Sequence, residues 1–159
     1  MPGTVVGLMP YLLLTTTRSF AWPECSFLTV LTALVAAVGL VFLLQAILGF
    51  AVQGKGTLAP VDPPKVLVLR GLYARTRNPM YVAVVTILVA EAIFFRSIGL
   101  FVYAGITFII FNLVVLLYEE PHLRKEFGES YEEYCRSVPR WPIPFGTGWH
   151  KRRVENQQT

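Results

Sequence analysis

Two short stretches hold most of the residues that could do chemistry. In "RTRNPMY", residues 75 to 81, the guanidiniums of Arg75 and Arg77 precede Asn78, Pro79, Met80 and the phenol of Tyr81. In "YEEPHL", residues 118 to 123, the adjacent carboxylates Glu119 and Glu120 close a long apolar run. Carboxylates at a membrane boundary are costly unless they meet water, a cation or a partner, and anions at a helix C-terminus oppose the macrodipole. The pair therefore asks for a cation. If both stretches reach one face of the protein, guanidinium, amide and phenol groups stand opposite carboxylates, which suits a zwitterionic ligand that also carries positive charge. Each stretch has a plainer reading beside this one. Asn78 and Pro79 also fit a capped helix start beneath snorkelling arginines, and the glutamates also fit solvated interface markers or partners of Arg75, Arg77 or Arg124.

The elements that must position these groups are set by hydropathy. The chain of 159 residues is 54% hydrophobic and 15% charged, a balance outside the range of ordinary soluble domains. A spanning helix needs about twenty predominantly apolar residues, and Ser26 to Val52, Pro79 to Phe95 and Ile98 to Tyr118 each come close. A shorter stretch, "TVVGLMPYLLLTTT", carries Pro10 and reads as a short span at the N-terminus. The expected fold is all-α: one domain over residues 1–159, a polytopic membrane bundle of three clear spans plus the short one. Twelve of the fourteen basic residues fall in the loop 54–78 or in the tail 119–159, and Arg18 and Arg96 fall in turns between spans. The positive-inside rule then places both termini in the cytoplasm, with "RTRNPMY" and "YEEPHL" at one face.

Beyond the last span, Leu123, Phe127, Tyr131 and Tyr134 recur at helical spacing amid charged residues, predicting a C-terminal cytoplasmic amphipathic helix. Pro139, Pro142 and Pro144 end it, and residues 145–159 read as a disordered tail. Cys25 and Cys135 are far apart and without clustered ligands, so both read as inert, and no metal is expected. Gln45 and Asn112 read as hydrogen-bonding between helices; Asn112 lies two turns before Glu119 on what would be the same face. Glu91 is an intramembrane carboxylate, with Arg96 as its plainest partner. His122 reads as an interfacial bystander.

From about Gly54 to Pro144 the chain resembles the integral-membrane methyltransferases that include isoprenylcysteine carboxyl methyltransferases and phospholipid N-methyltransferases. The resemblance is carried by "LVLRGLYARTRNPMY", by "EEPHLRKEFGESYEEYCRSVPRW" and by the apolar hairpin between them. It implies S-adenosylmethionine as cofactor, held at the cytoplasmic face under a C-terminal helical cap, with the acceptor arriving from the bilayer. Carried over by position, Val66, Leu67, Val68, Tyr73, Asn78, Pro79, Met80 and Tyr81 would contact the cofactor, Glu119 would be its acidic partner and Arg77 would hold its carboxylate. Glu120 and Arg140 are the catalytic candidates, orienting the acceptor. The implied partners are membrane lipids and a lipophilic acceptor, with no nucleic acid.

Three departures shape these expectations. Asn78 stands where the family often has histidine, so it cannot titrate. Ala83 replaces a common glycine and would narrow the approach to the cofactor. Val115 replaces the arginine with which the isoprenylcysteine branch engages a carboxylate, which argues against a prenylcysteine acceptor and for a lipid amine or another hydrophobic small molecule. Two other readings stand beside this one: an NADPH-dependent enzyme resembling the sterol reductases, and a non-enzymatic membrane interaction protein. The compact chain points to a bacterial inner membrane.

Overall fold

The computed structural model describes residues 3–16, 26–54 and 69–142. Val66, Leu67 and Val68, the turn holding Arg18, Cys25, and the expected tail lie outside the described residues. The described chain forms helices α1 (Thr4–Thr16), α2 (Phe27–Gly54), α3 (Pro79–Phe94), α4 (Ile98–Phe127) and α5 (Glu129–Ser137), with a 3-10 turn at Gly71–Ala74 and no strand.

Two of these helices, over Phe27–Val52 and Ile98–Phe127, are long and apolar enough to cross a bilayer. Only 17% and 22% of their most apolar windows are buried inside the protein. A core helix of a soluble domain would be mostly covered, so these apolar flanks need lipid as their surroundings, and the chain is a membrane protein. The expectation of three clear spans meets a shorter α3: its 16 residues extend about 24 Å, less than the hydrocarbon core. Helix α1 is shorter still. Rather than being bathed in lipid, α3 is the covered centre, burying Ala83, Val84, Ile87, Leu88, Ala90 and Ala92.

Apolar surface gains nothing by leaving lipid for other apolar surface, so helices in a bilayer associate by close packing and selected polar bonds. Small residues accordingly line the contacts. A Cβ built on Gly39 of α2 would stand 2.8 Å from Ile87 Cγ1 on α3, so this crossing needs glycine. Ala83, expected beside the cofactor, is instead buried in the core cluster with Leu43, Ile87 and Ala104, because two positions along a helix from Tyr81 is nearly the opposite face. Leu14 of α1 packs with Ala92 and Leu100 beside the tight α3–α4 turn, and the Tyr103 hydroxyl donates to the Val5 carbonyl at 3.1 Å.

The C-terminal part departs from the single surface helix expected. Helix α4 does not stop at Tyr118 but runs on to Phe127, through a π turn at Val115–Glu119. Gly128, at φ 53°, then reverses the chain, a conformation side chains resist. The reversal folds α5 back so that Tyr131, Tyr134 and Val138 cluster with Leu69, Leu123 and Phe127. Two polar expectations fail inside the bundle: Gln45 is exposed on α2 with no side-chain bond among the described residues, and no ion pair joins Glu91 to Arg96, which occupies the turn at φ 49°.

Replacing Gly39 by valine should lower the thermal unfolding midpoint in detergent, by the equivalent of about 1–3 kcal/mol of overpacking. Gly105→Ala, where nothing lies within 4 Å of the added methyl, should leave the midpoint near that of the parent.

Candidate active site

The π turn decides where the two glutamates go. In a regular helix seven positions return a side chain to within about 20° of its starting direction, so Asn112 and Glu119 would share a stripe. A π turn accommodates one extra residue and rotates everything beyond it by roughly 100°. Glu119 therefore joins the stripe of Phe111, and Glu120 takes the place below Asn112. The contacts agree. Tyr81 of α3 stacks on Phe111 with ring centroids 4.4 Å apart and donates its phenol to Glu119 Oε1. The expectation that Asn112 and Glu119 face one cavity is corrected by the same rotation.

Glu120 is buried, 6% exposed, and clamped by two arginines from different parts of the chain. Arg140 Nε donates to Oε1 at 2.7 Å and Arg140 Nη2 to Oε2 at 2.9 Å, a bidentate pair. Arg77 Nη1 lies 3.2 Å from Oε1 and 2.7 Å from the Cys135 Sγ that accepts its hydrogen bond. Cys135, read from sequence as inert, is thus part of the clamp. Arg140 lies outside the bundle helices, and its hydrogen bond to Glu120 holds its guanidinium above its ordinary range, fixing it as a cation. Of the partners foreseen for the glutamates, Arg124 instead reaches Glu132, at 2.9 Å on the surface.

Backbone bonds complete the attachment of residues 139–141. The Arg77 amide donates to the Pro139 carbonyl at 3.0 Å, and the Arg140 carbonyl accepts from Thr76 Oγ1 at 2.8 Å and from Asn78 Nδ2 at 3.3 Å. Asn78 is therefore no side-chain cap; α3 begins with Pro79 at its first position and no cap bond from Asn78. Trp141 Nε1 donates to Asn112 Oδ1 at 3.1 Å.

Tyr73 sits under this group. Its carbonyl accepts from the Tyr134 hydroxyl at 2.7 Å, and its ring lies 6.5 Å from that of Phe50. Burial first, and then the charge of Glu119, push the Tyr73 phenol upward, so it stays protonated and beside that carboxylate. Burial likewise raises Tyr134, keeping it a donor. Of the residues predicted from sequence, the structure brings together Tyr73, Arg77, Asn78, Tyr81, Glu119, Glu120 and Arg140. It turns Met80 into the core cluster and buries Pro79 at the helix start. His122 stacks on Tyr118, with centroids 6.3 Å apart.

Sequence reasoning missed Thr76, Cys135 and Trp141. A tryptophan next to an arginine at the end of an amphipathic segment was the available signal, since indoles favour the membrane interface.

The charges do not cancel locally. Glu120 holds both Arg77 and Arg140, whereas Glu119 has the Tyr81 phenol and no cation among the described residues. Arg77 Nε is buried and unpartnered. A family model described as phospholipid methyltransferase matches residues 27–130. No curated protein and no solved structure matches the chain.

Arg140→Ala would remove the bidentate partner of the buried Glu120 carboxylate, leaving it Arg77 alone, and should cost about 1.5–3 kcal/mol of stability. Arg124→Ala, which breaks only the exposed bridge to Glu132, should cost less than about 1 kcal/mol. Chemical unfolding of the two variants in detergent compares them directly.

Proposed function

The chain belongs to the phospholipid methyltransferase family, and on that footing we propose that it transfers a methyl group from S-adenosylmethionine to a lipophilic acceptor, a lipid amine above all, at the face holding Tyr81 and Glu119. The membrane methyltransferase assignment follows from the family; the cofactor, the acceptor and the residue roles are the proposal. The observation that carries it is Glu119, a carboxylate paired with a phenol and with no cation among the described residues, in a cluster whose Arg77 and Arg140 are both committed to Glu120. Such a site favours positive charge over an anionic acceptor, in line with Val115 occupying the position where the isoprenylcysteine branch has arginine.

When bound, S-adenosylmethionine supplies a methyl group on a sulfonium for in-line displacement by the acceptor's lone pair. The chain's own residues align, desolvate and manage protons around that event. Glu119, oriented by Tyr81, would hold the ammonium of the cofactor, and its negative charge also favours the positive charge that an amine acquires as it is methylated. Arg77 Nε would meet the cofactor's carboxylate, the acceptor its buried N–H lacks. Tyr73, close to Glu119, would line the same space. Asn78 donates an amide N–H to the Arg140 carbonyl and does not titrate, so proton removal does not run through it. Glu120 and Arg140 would orient the acceptor by fixing the wall beside it. The concentration of basic residues in the loop 54–78 and the tail supports a cytoplasmic location for this face and for both termini.

Calorimetry of the detergent-solubilised protein with S-adenosylmethionine should show saturable binding, weakened at least about tenfold by Glu119→Gln, the scale of one charge-assisted contact. Absence of binding to a folded sample would overturn the proposal, and binding of NADPH instead would replace it with the reductase reading.

A further inference from the structure

Helix α2 carries a polar side chain on a flank that faces lipid. Gln45 is exposed there, and its side chain makes no bond among the described residues. With α2, Phe27–Gly54, centred in a hydrocarbon core about 30 Å thick, Gln45 lies about 7 Å from the midplane. That is too deep for its short side chain to reach water. A primary amide has two N–H donors and an acceptor oxygen, and hydrocarbon satisfies none of them. Gln45 therefore calls for a partner from outside the chain.

The residues around it indicate which partner. Leu34, Val38, Val41, Gln45, Leu48 and Val52 follow one another in steps of four and three, and all are exposed. This is a heptad seam, with Val38, Gln45 and Val52 at a positions and Leu34, Val41 and Leu48 at d positions. It spans an arc of roughly 80° and points away from Gly39 and Leu43, which pack on α3. The fold leaves the seam free. Its apolar members gain little by exchanging lipid for protein, so the amide supplies the preference for a partner helix. Copies inserted under the same charge bias share one orientation, so their α2 helices meet in parallel. A two-fold axis along the membrane normal then sets each seam residue beside its own counterpart. An amide is complementary to itself, since the Nε2 of one donates to the Oε1 of the other. Valine at a with leucine at d also favours two strands. We propose that the chain forms a parallel dimer through the α2 seam, registered by a hydrogen bond between the two Gln45 amides. The inference is independent of the reading of Glu119.

The test uses the full chain, labelled at its N-terminus with a donor or an acceptor fluorophore and diluted in phospholipid vesicles. Energy transfer between copies should follow a monomer–dimer curve. Gln45→Leu should raise the dissociation constant about five- to thirtyfold, the scale of one or two interhelical amide bonds in a bilayer. Gln45→Asn keeps an amide and should recover most of the association. Leu40→Ala, about 120° or more from the seam, should stay within about twofold of the parent. Because Gln45 makes no bond within the described chain, Gln45→Leu should leave the thermal midpoint of the detergent-solubilised protein unchanged. Oxidative cross-linking in vesicles, with the parent chain as blank, should join copies carrying Leu48→Cys in preference to copies carrying Leu40→Cys. Lack of transfer at the highest protein density would mean that lipid or another protein covers the face, and would overturn the dimer. A dissociation constant indifferent to Gln45→Leu, or cross-linking that favours Leu40→Cys, would overturn it equally.

Discussion

Two neighbouring carboxylates at the end of a membrane helix repel each other, and neither can rely on water. The chain resolves this by inserting a π turn at Val115–Glu119, which sends Glu119 toward α3 and Glu120 toward the C-terminal segment. Without that extra residue Glu119 would lie on the Asn112 stripe, away from Tyr81, and the cluster would lose both its phenol–carboxylate pair and its clamp. Everything polar at this end of the molecule depends on the separation. Glu120 gathers Arg77 and Arg140 and fixes the segment Pro139–Trp141; Glu119 is left with the Tyr81 phenol and no cation among the described residues.

The clamp also explains how so small a bundle makes a defined site. Helices α3 and α4 meet through small residues, and such packing alone tolerates sliding. Residues 76–78 are bonded to 135, 139 and 140 across 58 to 64 positions of sequence, and Glu120 to Arg140 across 20, so the start of α3, the end of α4 and the chain after α5 hold one another in register. Gly128 is what lets α5 return to that meeting point, and Tyr134 secures it to the Gly71–Ala74 turn through the Tyr73 carbonyl.

Much of this was legible in the sequence. Hydropathy placed α2, α3 and the start of α4 within a residue or two, and the apolar set Leu123, Phe127, Tyr131 and Tyr134 does converge. What spacing could not reveal was any departure from a regular helix. The π turn moved Glu119 by one register, and the glycine reversal turned one expected helix into two. The same limit applies to Ala83, placed beside the site by resemblance but beneath the core by helical geometry. Partners distant in sequence were equally hidden: nothing near Cys135 or Trp141 announces Arg77 or Asn112.

The family assignment makes the chain a phospholipid methyltransferase relative, and the proposed transfer to a lipid amine is tested most directly by measuring transfer itself. Wild-type protein in nanodiscs containing an aminophospholipid is incubated with S-adenosylmethionine labelled at its methyl group, beside the Glu119→Gln variant. The account predicts label in the extracted lipid, bound to the headgroup nitrogen, and its loss in the variant. Label that stays with the cofactor in the presence of folded wild-type protein, or equal labelling by the variant, would contradict it.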